Sequence, residues 1–576
     1  MPFGTPPSGG PLSRTRTRLS ASSLTKYLRC PKQFFLGNKL GLSSPKSIYQ
    51  VLGIVLEDSI CSILMRRPVS INSLEGLREW CYNLADEEAK HCFQLGKENW
   101  DSTIWQNSEQ SWEDVDVEEL SRKIKNGLSL FLEEVEKCYK SNGGPYLEQF
   151  RKGESPFRIS SPAWGDEPVF PIADKVRNFG MRSWAKDETI TWKKVGQPVA
   201  WDEAWEIARP WVKDPRVHQP QRLFHPDGWA AGELDLVLRW DGNIRLIDIK
   251  SGNPTSKFAE SLMHQLNFYA WLWHETHEKQ IVDGIEGWYL DNSVRTQYEV
   301  PSDLEMTKLC KKYKKIHREM LDLGEGPVKF PDDYPEPCKK SAGCFWCSFG
   351  KKNPEQESDF LTSLEQIEVK ISPPSQKIGE IQSRINVKGK FTGQWGPLPN
   401  HYSEPVLGAM VSVSGTQITV EESEPNSFPK LHDYSDGEVM IINALPGVWR
   451  GNSRLYLDHK SEIISLKEDN IESTNDLELT RIGLMRTRAN VEGVVISIAK
   501  RDGVRLDEKP WSMVNLHIWD GAHVAEVVAF GSSITNQITD LSPLDRIKIV
   551  SAELGWRSSL PQLRIDQRST RLTKID

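Results

Sequence analysis

The spacing of apolar residues changes along the chain, and each spacing predicts a different kind of structure. Over residues 20–150 the apolar positions recur every three or four residues, as in SASSLTKYLRCPKQFFL and LSRKIKNGLSLFLEEVEKCYK, which predicts amphipathic helices. Residues 232–250 contain apolar runs of strand length, followed by the helical stretch FAESLMHQLNFYAWLWHET and a strand near IEGWYLD. Two strands followed by a helix, within mixed structure, predict an α/β domain that ends near residue 355.

The pattern becomes one of short alternating strands after a polar segment. EQESDFLTSLEQ and the paired prolines of ISPPSQK predict a linker, and the alternation beyond it predicts all-β domains. This part contains an internal repeat: RINVKG at 384–389 matches RANVEG at 488–493, and VWRGNSRLYLD from Val448 matches GWRSSLPQLRID from Gly555, with offsets of 104 and 107 residues. Two ordered matches predict two copies of one domain of about 100 residues, each a small closed barrel.

Length, hydropathy and charge narrow the classes of protein that remain. A chain of 576 residues is too long for one core and predicts several domains. No apolar run approaches the roughly 20 residues that span a bilayer, so no membrane partner is expected. The formal net charge of -8 excludes a uniformly basic surface, and binding to nucleic acid would depend on local patches such as the basic residues between Arg14 and Lys32.

The cysteines and the N-terminal residues indicate the cellular compartment of the protein. Nine cysteines, an odd and scattered set, do not resemble a disulfide framework, which predicts an intracellular, reducing, cytoplasmic location. Residues 1–19 are rich in Pro, Gly and Arg and lack the apolar core of a secretory signal. They predict a flexible tail.

Three charged residues interrupt the apolar strands of GELDLVLRWDGNIRLIDIKSG. Asp248 and Lys250 are two apart on one strand and face the same side, while the Asp-Gly turn of WDGN folds the preceding strand, with Asp235, back against them. Converging carboxylates favour a divalent cation such as Mg²⁺, and a lysine beside them can orient or deprotonate a water for attack on phosphorus. The alternative is a surface hairpin with an ordinary Asp–Lys pair, which the apolar flanks disfavour.

The same residues carry a resemblance to a known family. G-E-L-D, then D-I-K-S-G, then Q-L-N-F-Y resembles the PD-(D/E)XK nucleases of the RecB-like branch, which includes the AddB nuclease domain, CRISPR-associated adaptation nucleases and the nuclease domain of eukaryotic nuclease-helicases. The resemblance implies a restriction-endonuclease-like α/β core with helical additions. It also implies that Asp235 and Asp248 ligate Mg²⁺ or Mn²⁺, that the Ile249 carbonyl completes the metal shell, and that Lys250 is the catalytic lysine.

Two further family motifs fall on predicted helices. Gln265 and Tyr269 match a Q-x-x-x-Y motif that in the family positions DNA near the metals, and their i, i+4 spacing places them on one face. The family's upstream G-x-x-x-H histidine corresponds to Glu57, four residues after Gly53. Glutamate is a suitable oxygen ligand for Mg²⁺ or Mn²⁺. The alternative for Glu57 is an exposed helical glutamate.

A second set of motifs involves cysteine. CKKSAGCFWC places Cys338, Cys344 and Cys347 in a turn, and soft ligands at this spacing favour a metal with a fourth ligand from elsewhere. YLRCPKQF resembles the Y-x-x-C-P-x-x-F element of RecB-like iron–sulfur nucleases, which implies that Cys30 closes a 4Fe-4S cluster across the nuclease domain. The family spacing is usually C-x2-C-x5-C, whereas here the short gap comes last, so zinc is the alternative.

The repeated domains resemble OB-folds of the replication protein A type, most clearly in NLHIWDGAHVAEVVAFG of the second copy. Such barrels bind single strands by stacking bases on aromatic rings while basic groups follow the phosphates. The alternative for the tryptophans is that they fill barrel cores or the seam between domains. The candidate DNA-binding residues are Trp519, Phe530, Trp556, Arg557, Trp449 and Arg450.

These inferences combine into one expected layout and function. The expected domains are a tail (1–19), a nuclease with an iron–sulfur cluster (20–355), a linker (356–380), one OB-fold (381–470), a linker (471–483) and a second OB-fold (484–576). We expect a metal-dependent nuclease that acts on single-stranded or flapped DNA. No G-x-x-x-x-G-K-[ST] motif occurs, so any unwinding would require a separate helicase. The alternatives are a single-strand DNA-binding protein with an inactive core, and a nuclease that prefers RNA.

Overall fold

The computed structural model describes most of the chain, with gaps. Described are residues 18–107, 109–151, 196–212, 223–227, 229–254, 259–324, 326–330, 363–364, 366–381, 384–399, 405–423, 431–434, 437–449, 452–466, 477–481, 485, 487–504, 510–531, 538, 540–557, 560–566 and 569–575. The predicted tail falls almost entirely outside these residues, as do the three clustered cysteines at 338, 344 and 347.

The first half of the described chain is mainly helical, as the apolar spacing predicts. Serine side chains cap the starts of the first and third helices: Ser20 Oγ accepts a hydrogen bond from Ser23 N, and Ser47 Oγ accepts one from Tyr49 N. The helices are α1 (Ala21–Arg29), α2 (Pro31–Phe34), α3 (Ile48–Leu64), α4 (Leu74–Asp101), α5 (Val117–Lys140), α6 (Leu147–Arg151), α7 (Trp201–Ala208), α8 (Ala259–Thr276) and α9 (Asp303–Asp322).

A five-stranded sheet forms the centre of the α/β part. The strands up to residue 330 are β1 (Trp211–Val212), β2 (Leu223–Phe224), β3 (Ala231–Gly232), β4 (Leu236–Leu238), β5 (Arg245–Lys250), β6 (Gly284–Tyr289), β7 (Val294–Tyr298) and β8 (Val328–Lys329). The sheet order is β1-β4-β5-β6-β7, in which β5 and β6 are parallel and the other neighbours are antiparallel. α8 makes the crossover between the two parallel strands.

Helices cover both faces of this sheet. On the face of Asp248, β6 carries a glycine where α8 packs: a Cβ at Gly287 would lie 2.6 Å from Leu262 Cδ2. α5 and α3 pack near the ends of the central strands, where a Cβ at Gly127 would lie 2.7 Å from Ile60 Cδ1 and 3.0 Å from Leu290 Cδ2. One buried apolar cluster includes residues of all these elements, so helices and sheet share a core.

The two predicted repeats have the same strand pairings. Repeat 1 (residues 385–465) contains β9 (Ile385–Pro399), β10 (Pro405–Val413), β11 (Thr416–Ser423), β12 (Gly437–Trp449), β13 (Asn452–Leu457) and β14 (Glu462–Ser465). Repeat 2 (residues 488–575) contains β15 (Arg488–Val504), β16 (Pro510–Trp519), β17 (His523–Phe530), β18 (Arg546–Arg557), β19 (Leu560–Ile565) and β20 (Arg571–Ile575).

In each repeat the pairings of the first five strands return to the first strand. The order in repeat 1 is β9-β10-β11-β13-β12 and back to β9, with the β11–β13 pair parallel. The order in repeat 2 is β15-β16-β17-β19-β18 and back to β15, with β17–β19 parallel. The internal sequence repeat is therefore also a repeat of topology, consistent with two five-stranded OB-type units.

No helix among the described residues is long and apolar enough to cross a membrane.

Candidate active site

The hairpin of β4 and β5 brings the first aspartate to the backbone of the second strand. The strands pair antiparallel, with Leu236 opposite Ile247, and the connecting turn uses a positive φ of 90° at Gly242. Asp235 immediately precedes β4, and its Oδ2 accepts a hydrogen bond from Ile249 N at 2.9 Å. Asp235 therefore lies beside the D-I-K segment, as the hairpin interpretation requires.

Asp248 and Lys250 form an ion pair on β5. Asp248 is 2% exposed, whereas the Lys250 side chain is 32% exposed and reaches the surface. Burial alone would lower the pKa of Lys250, but the Asp248 and Asp235 carboxylates beside it raise that pKa above its ordinary value. The two carboxylates therefore favour the ammonium form of Lys250.

Glu57 of α3 belongs to the same charged group. Burial, followed by the negative charges of Glu57 and Asp248, raises the pKa of Asp235 well above its ordinary value, against the opposing effect of Lys250. The pKa of Tyr269 is also raised well above its ordinary value, by burial and then by Asp248, Asp235 and Glu57. Glu57 therefore lies near enough to Asp235 and Tyr269 for its charge to affect both pKa values.

The donors at this strand end fit a hard divalent cation in chemical type. Carboxylate oxygens are the ligands that Mg²⁺ and Mn²⁺ prefer, and a cation would relieve the repulsion that raises the pKa of Asp235. As placed, no group of three or more His, Cys, Asp or Glu side chains in the described part of the chain is arranged to hold a metal ion. Ligation by Glu57, Asp235 and Asp248 together therefore requires movement of their side chains.

Tyr269 of α8 lies beside the site because α8 packs closely against Gly232. Tyr269 is buried, and a Cβ at Gly232 would lie 3.3 Å from its ring and 2.9 Å from Leu272 Cδ2. Gln265, one turn earlier on α8, is half-buried. The glycine of the GELD motif thus permits the close approach of the helix that carries the Q-x-x-x-Y residues, a role that the motif alone does not reveal.

α5 supports the strand ends next to the site, which sequence reasoning missed. Lys123 Nζ donates to the Ser251 carbonyl at 3.2 Å and lies 2.8 Å from Asp291 Oδ1. Asn126 Nδ2 donates to the Leu290 carbonyl at 2.7 Å. Residues 251 and 290–291 directly follow β5 and β6, so these contacts join α5 to the end of the parallel pair. The amphipathic pattern predicts the helix but gives no signal for these partners, more than 120 residues away.

Cys30 lies at the N-cap of α2 and is partly exposed. Tyr27 Oη, one turn earlier, donates to Glu319 Oε2 of α9 at 2.9 Å. The proposed partners Cys338, Cys344 and Cys347 lie outside the described residues, so the predicted cluster stays a prediction. The Tyr27–Glu319 contact joins the start of the α/β part to the helix that precedes the cysteine-rich segment.

Two of the predicted base-stacking residues are buried inside the protein. Trp519 is 6% exposed and donates from Nε1 to the Phe330 carbonyl at 2.9 Å. Trp556 is fully buried and donates from Nε1 to the Pro446 carbonyl of repeat 1. Neither ring is accessible to a base, so the predicted stacking role is wrong for both, and the alternative of a tryptophan in a seam between domains describes them.

The remaining DNA-binding candidates are placed less fully. Phe530 ends β17 and is partly buried. Trp449 and Arg557 end β12 and β18, but their side chains, like the whole of Arg450, lie outside the described residues. Their predicted contacts with DNA stay predictions.

Comparison with known proteins agrees with this geometry. Residues 197–351 match the model of the PD-(D/E)XK nuclease superfamily, so this part of the chain is a PD-(D/E)XK nuclease superfamily domain. The matched segment contains Asp235, Asp248 and Lys250 as well as the helix with Gln265 and Tyr269. Glu57 and Cys30 precede it.

Solved structures similar to the chain include three that bind DNA or contain an OB domain. A replication protein A heterotrimer bound to ssDNA is 11% identical over 34% of this chain and 49% of that chain, with a TM-score of 0.14. The OB domain of Ta0387 from Thermoplasma acidophilum is 15% identical over 17% and 81%, with a TM-score of 0.14. A murine DNA binding protein bound with ds DNA is 14% identical over 33% and 96%, with a TM-score of 0.13. No curated protein matches the sequence.

Proposed function

We propose that this protein is a metal-dependent deoxyribonuclease that hydrolyses single-stranded or flapped DNA in repair, recombination or replication. The observation that carries this proposal is the meeting of Asp235, Asp248 and Lys250 at one strand end, inside a segment that matches the PD-(D/E)XK nuclease superfamily. OB-type repeats after the nuclease would contribute binding of the single strand. A separate helicase would supply any unwinding.

In this proposal some residues of the site bind the metal, and Lys250 contacts the water and the phosphate. Glu57, Asp235 and Asp248, with the Ile249 carbonyl, would hold Mg²⁺ or Mn²⁺. When bound, such a cation polarises the phosphate and lowers the pKa of an attacking water. Lys250, whose ammonium pairs with Asp248 and is partly exposed, would act as a charged donor that orients water and phosphate.

An end-labelled oligonucleotide assay tests the activity. The wild-type chain should cut a single strand in Mg²⁺ or Mn²⁺, and Asp248→Asn should lower the rate by at least about 100-fold because a metal ligand is lost. Asp241→Asn is the matched control, since Asp241 lies on the same hairpin but pairs with Arg245, away from the strand end. Cutting by Asp248→Asn at the wild-type rate would contradict the proposed site.

The second candidate function is a single-strand DNA-binding protein with an inactive nuclease core. It is favoured by Glu57, which stands where the family carries histidine. Undetectable cutting by the wild-type chain in both metals, with binding of the same oligonucleotide retained, would select this function. A parallel RNA oligonucleotide decides between DNA and RNA as the substrate.

We further propose that Cys30, Cys338, Cys344 and Cys347 bind a 4Fe-4S cluster. Support comes from the Tyr27–Glu319 hydrogen bond, which holds the Cys30 turn against the helix that leads to the other three cysteines. The purified protein should be brown with absorbance that bleaches in Cys344→Ala. A colourless protein that contains stoichiometric zinc would show that the site is a zinc site instead.

A further inference from the structure

The two repeats share their strand pairings but differ sharply on one outer face. The matched sequences RINVKG and RANVEG place Lys388, Lys390 and Thr392 of β9 at the positions of Glu492, Val494 and Ile496 of β15. The neighbours confirm the match, because Val387 and Val491 are both fully buried in their own repeat's core. Alternation along the strand then directs the compared residues outward from each core.

In repeat 2 this outer face is apolar and covered. Val494 and Ile496 of β15 are fully buried, and Val524 of β17 is almost fully buried. They belong to a cluster that is separate from the core of repeat 2 and that contains residues of the nuclease part. The nuclease residues in that cluster are Phe35, Leu36, Leu40, Leu42, Val328 and Phe330.

Directed hydrogen bonds accompany the apolar contact. His517 Nε2 donates to the Leu40 carbonyl at 2.6 Å, and Ser43 N donates to Ser497 Oγ at 2.7 Å. β8 pairs antiparallel with β17, and Phe330 N donates to the Ala522 carbonyl at 3.0 Å. The outer face of repeat 2 thus holds two segments, one from each end of the nuclease part.

In repeat 1 the same positions are polar and open. Lys388, Lys390 and Thr392 are exposed, and on the neighbouring strands Ser412 is half-buried and Gln417 exposed. Ser412 corresponds to Trp519 of repeat 2, because Ser412 pairs with Lys390 and Trp519 pairs with Val494, the residue that matches Lys390. Gln417 corresponds to Val524 in the same way, because each is the next partner across the sheet. Lys388 lies 3.5 Å from Glu438, but both are more than half exposed, so this pair holds the ammonium only weakly.

An aromatic ring lies further along the same open face, on the strand that carries the lysines. Trp395 of β9 is partly exposed and lies against Gly408 of β10, where an added Cβ would fall 1.8 Å from Trp395 Cζ2. Gly408 alternates with Met410 and Ser412, so the ring lies on the outer side of the sheet. Ammonium groups and a partly exposed indole on one strand face are the groups that bind the phosphates and bases of an extended single strand.

We infer that the two repeats have different tasks: repeat 1 takes the single strand on the outer face of β9–β11, and repeat 2 uses the equivalent face as an internal docking surface for the nuclease. This inference rests on the proposed binding of single-stranded DNA and specifies which repeat performs it. DNA that reaches the active site would therefore cross repeat 1, and the equivalent face of repeat 2 would not contact it.

Reciprocal exchange of residues between the repeats tests the inference in the full chain. Lys388→Glu, Lys390→Val and Thr392→Ile together give β9 the residues of β15. This variant should bind a fluorescent oligothymidylate at least about tenfold more weakly, because positive charge opposite phosphates is lost, while its Tm stays unchanged. Binding is measured in EDTA so that no cleavage occurs. Lys574→Glu, on an exposed lysine of β20, is the charge control and should bind as the wild type does.

The converse variant tests the docking surface. Val494→Lys with Ile496→Thr gives β15 the residues of β9, and it should lower the Tm and speed proteolysis because a charge replaces a buried contact. Its affinity for the oligonucleotide, measured below the transition, should stay within about twofold. Should this variant fail to fold, Trp519→Phe introduces no charge; it removes the hydrogen bond to the Phe330 carbonyl and part of the buried ring, and should give a smaller decrease in Tm.

The outcomes separate this inference from the proposed function. Weaker binding by the repeat 2 variant at an unchanged Tm would overturn the inference, as would unchanged binding by the repeat 1 variant. If the wild-type chain binds no oligonucleotide, the proposed single-strand binding fails, and with it the task assigned to repeat 1. In that case a lower Tm of the repeat 2 variant would still show that the outer face of repeat 2 is a docking surface, and an unchanged Tm would show that it is not.

Discussion

Lys250 is the residue on which the proposed chemistry depends most directly. Its ammonium pairs with a nearly inaccessible carboxylate and is partly exposed toward the strand end. Lys250→Met should therefore lower the cleavage rate by about 100-fold or more, because a positioned charged donor is lost, with oligonucleotide affinity retained. The measurement is single-turnover cleavage beside direct binding. Lys279→Met, in the exposed turn after α8, is the control. Cleavage by Lys250→Met at the rate of this control would exclude a catalytic role.

Gly287 shows how a residue without a side chain can position others. It lies opposite Asp248 in the parallel pair, and a Cβ there would come within 2.6 Å of Leu262 Cδ2 on α8. Gly287→Ala should push α8 from the sheet, destabilise the fold by about 1–3 kcal/mol and lower the cleavage rate. Denaturant unfolding and the oligonucleotide assay measure the two effects.

Gly53→Ala provides the comparison for that substitution. A Cβ at Gly53 on α3 meets nothing within 4 Å, so alanine there should leave the stability unchanged or raise it by about 0.5–1 kcal/mol. If Gly287→Ala and Gly53→Ala change the free energy of unfolding equally, the contact between residue 287 and α8 does not determine the effect of alanine at residue 287.

At the scale of elements, α5 determines where β5 and β6 end. Lys123 donates to the Ser251 carbonyl, which follows Lys250, and pairs with the Asp291 carboxylate, which follows β6. Lys123→Met should lower kcat about 3- to 10-fold, with KM nearly unchanged, because the reacting groups are less well placed. Lys123→Arg should restore part of the rate. Lys125→Met, on the same helix but paired with Asp86, should have no such effect.

The salt dependence of KM distinguishes positioning from direct phosphate binding. If Lys123 contacts DNA, Lys123→Met should raise KM and flatten its dependence on salt while kcat stays constant. That result would contradict a positioning role.

The other end of α5 carries a buried ionic network with a predictable pH dependence. Glu134 is fully buried and accepts hydrogen bonds from Arg245 at 2.7 Å and Arg295 at 2.6 Å. Burial alone would raise the pKa of Glu134, but Arg245, Arg295 and Lys137 hold it well below its ordinary value. A lowered pKa in the folded state contributes stability above the unfolded pKa of about 4.3, and that contribution is lost as the pH falls below it.

Glu134→Gln should accordingly destabilise the fold by about 1–3 kcal/mol at pH 7, because Arg245 and Arg295 lose the buried carboxylate that they share, although both keep Glu286 nearby. The difference from the wild type should shrink as the pH falls below about 4, where the wild-type carboxylate begins to lose the same interaction. Denaturant unfolding of both proteins at several pH values measures this difference. A difference that is constant with pH would contradict the ionic explanation.

At the scale of the whole molecule, the sequence predicted those parts of the fold that depend on the spacing of apolar residues and on short repeated motifs. The hairpin at 232–250 follows from strand alternation and its Asp-Gly turn, and the shared strand order of the two repeats follows from the two ordered matches. The role of Lys123 could not be predicted, because its partners are distant in sequence and one is a backbone carbonyl. The stacking role predicted for Trp519 was wrong because the apolar face that buries this ring is completed by residues 35–42 and 328–330.

One signal of this docking is nevertheless present in the sequence. Aligned at their matched glycines, GKFT of repeat 1 continues with lysine and threonine where GVVI of repeat 2 continues with valine and isoleucine at the outward positions. An apolar residue at an outward position of a strand indicates a covered surface. The amino-acid sequences of the two copies, compared position by position, therefore suffice to distinguish the covered face from the open one.

The hydrogen bond between Ser43 and Ser497 joins residues that are 454 positions apart. A ribosome adding about 5–20 residues per second needs roughly 20–90 s to cover that distance. Throughout this interval the apolar segment around Phe35 and Leu40 has left the exit tunnel without the strands that will cover it. During synthesis this early apolar segment is therefore open to contacts with other chains until the strands of repeat 2 emerge.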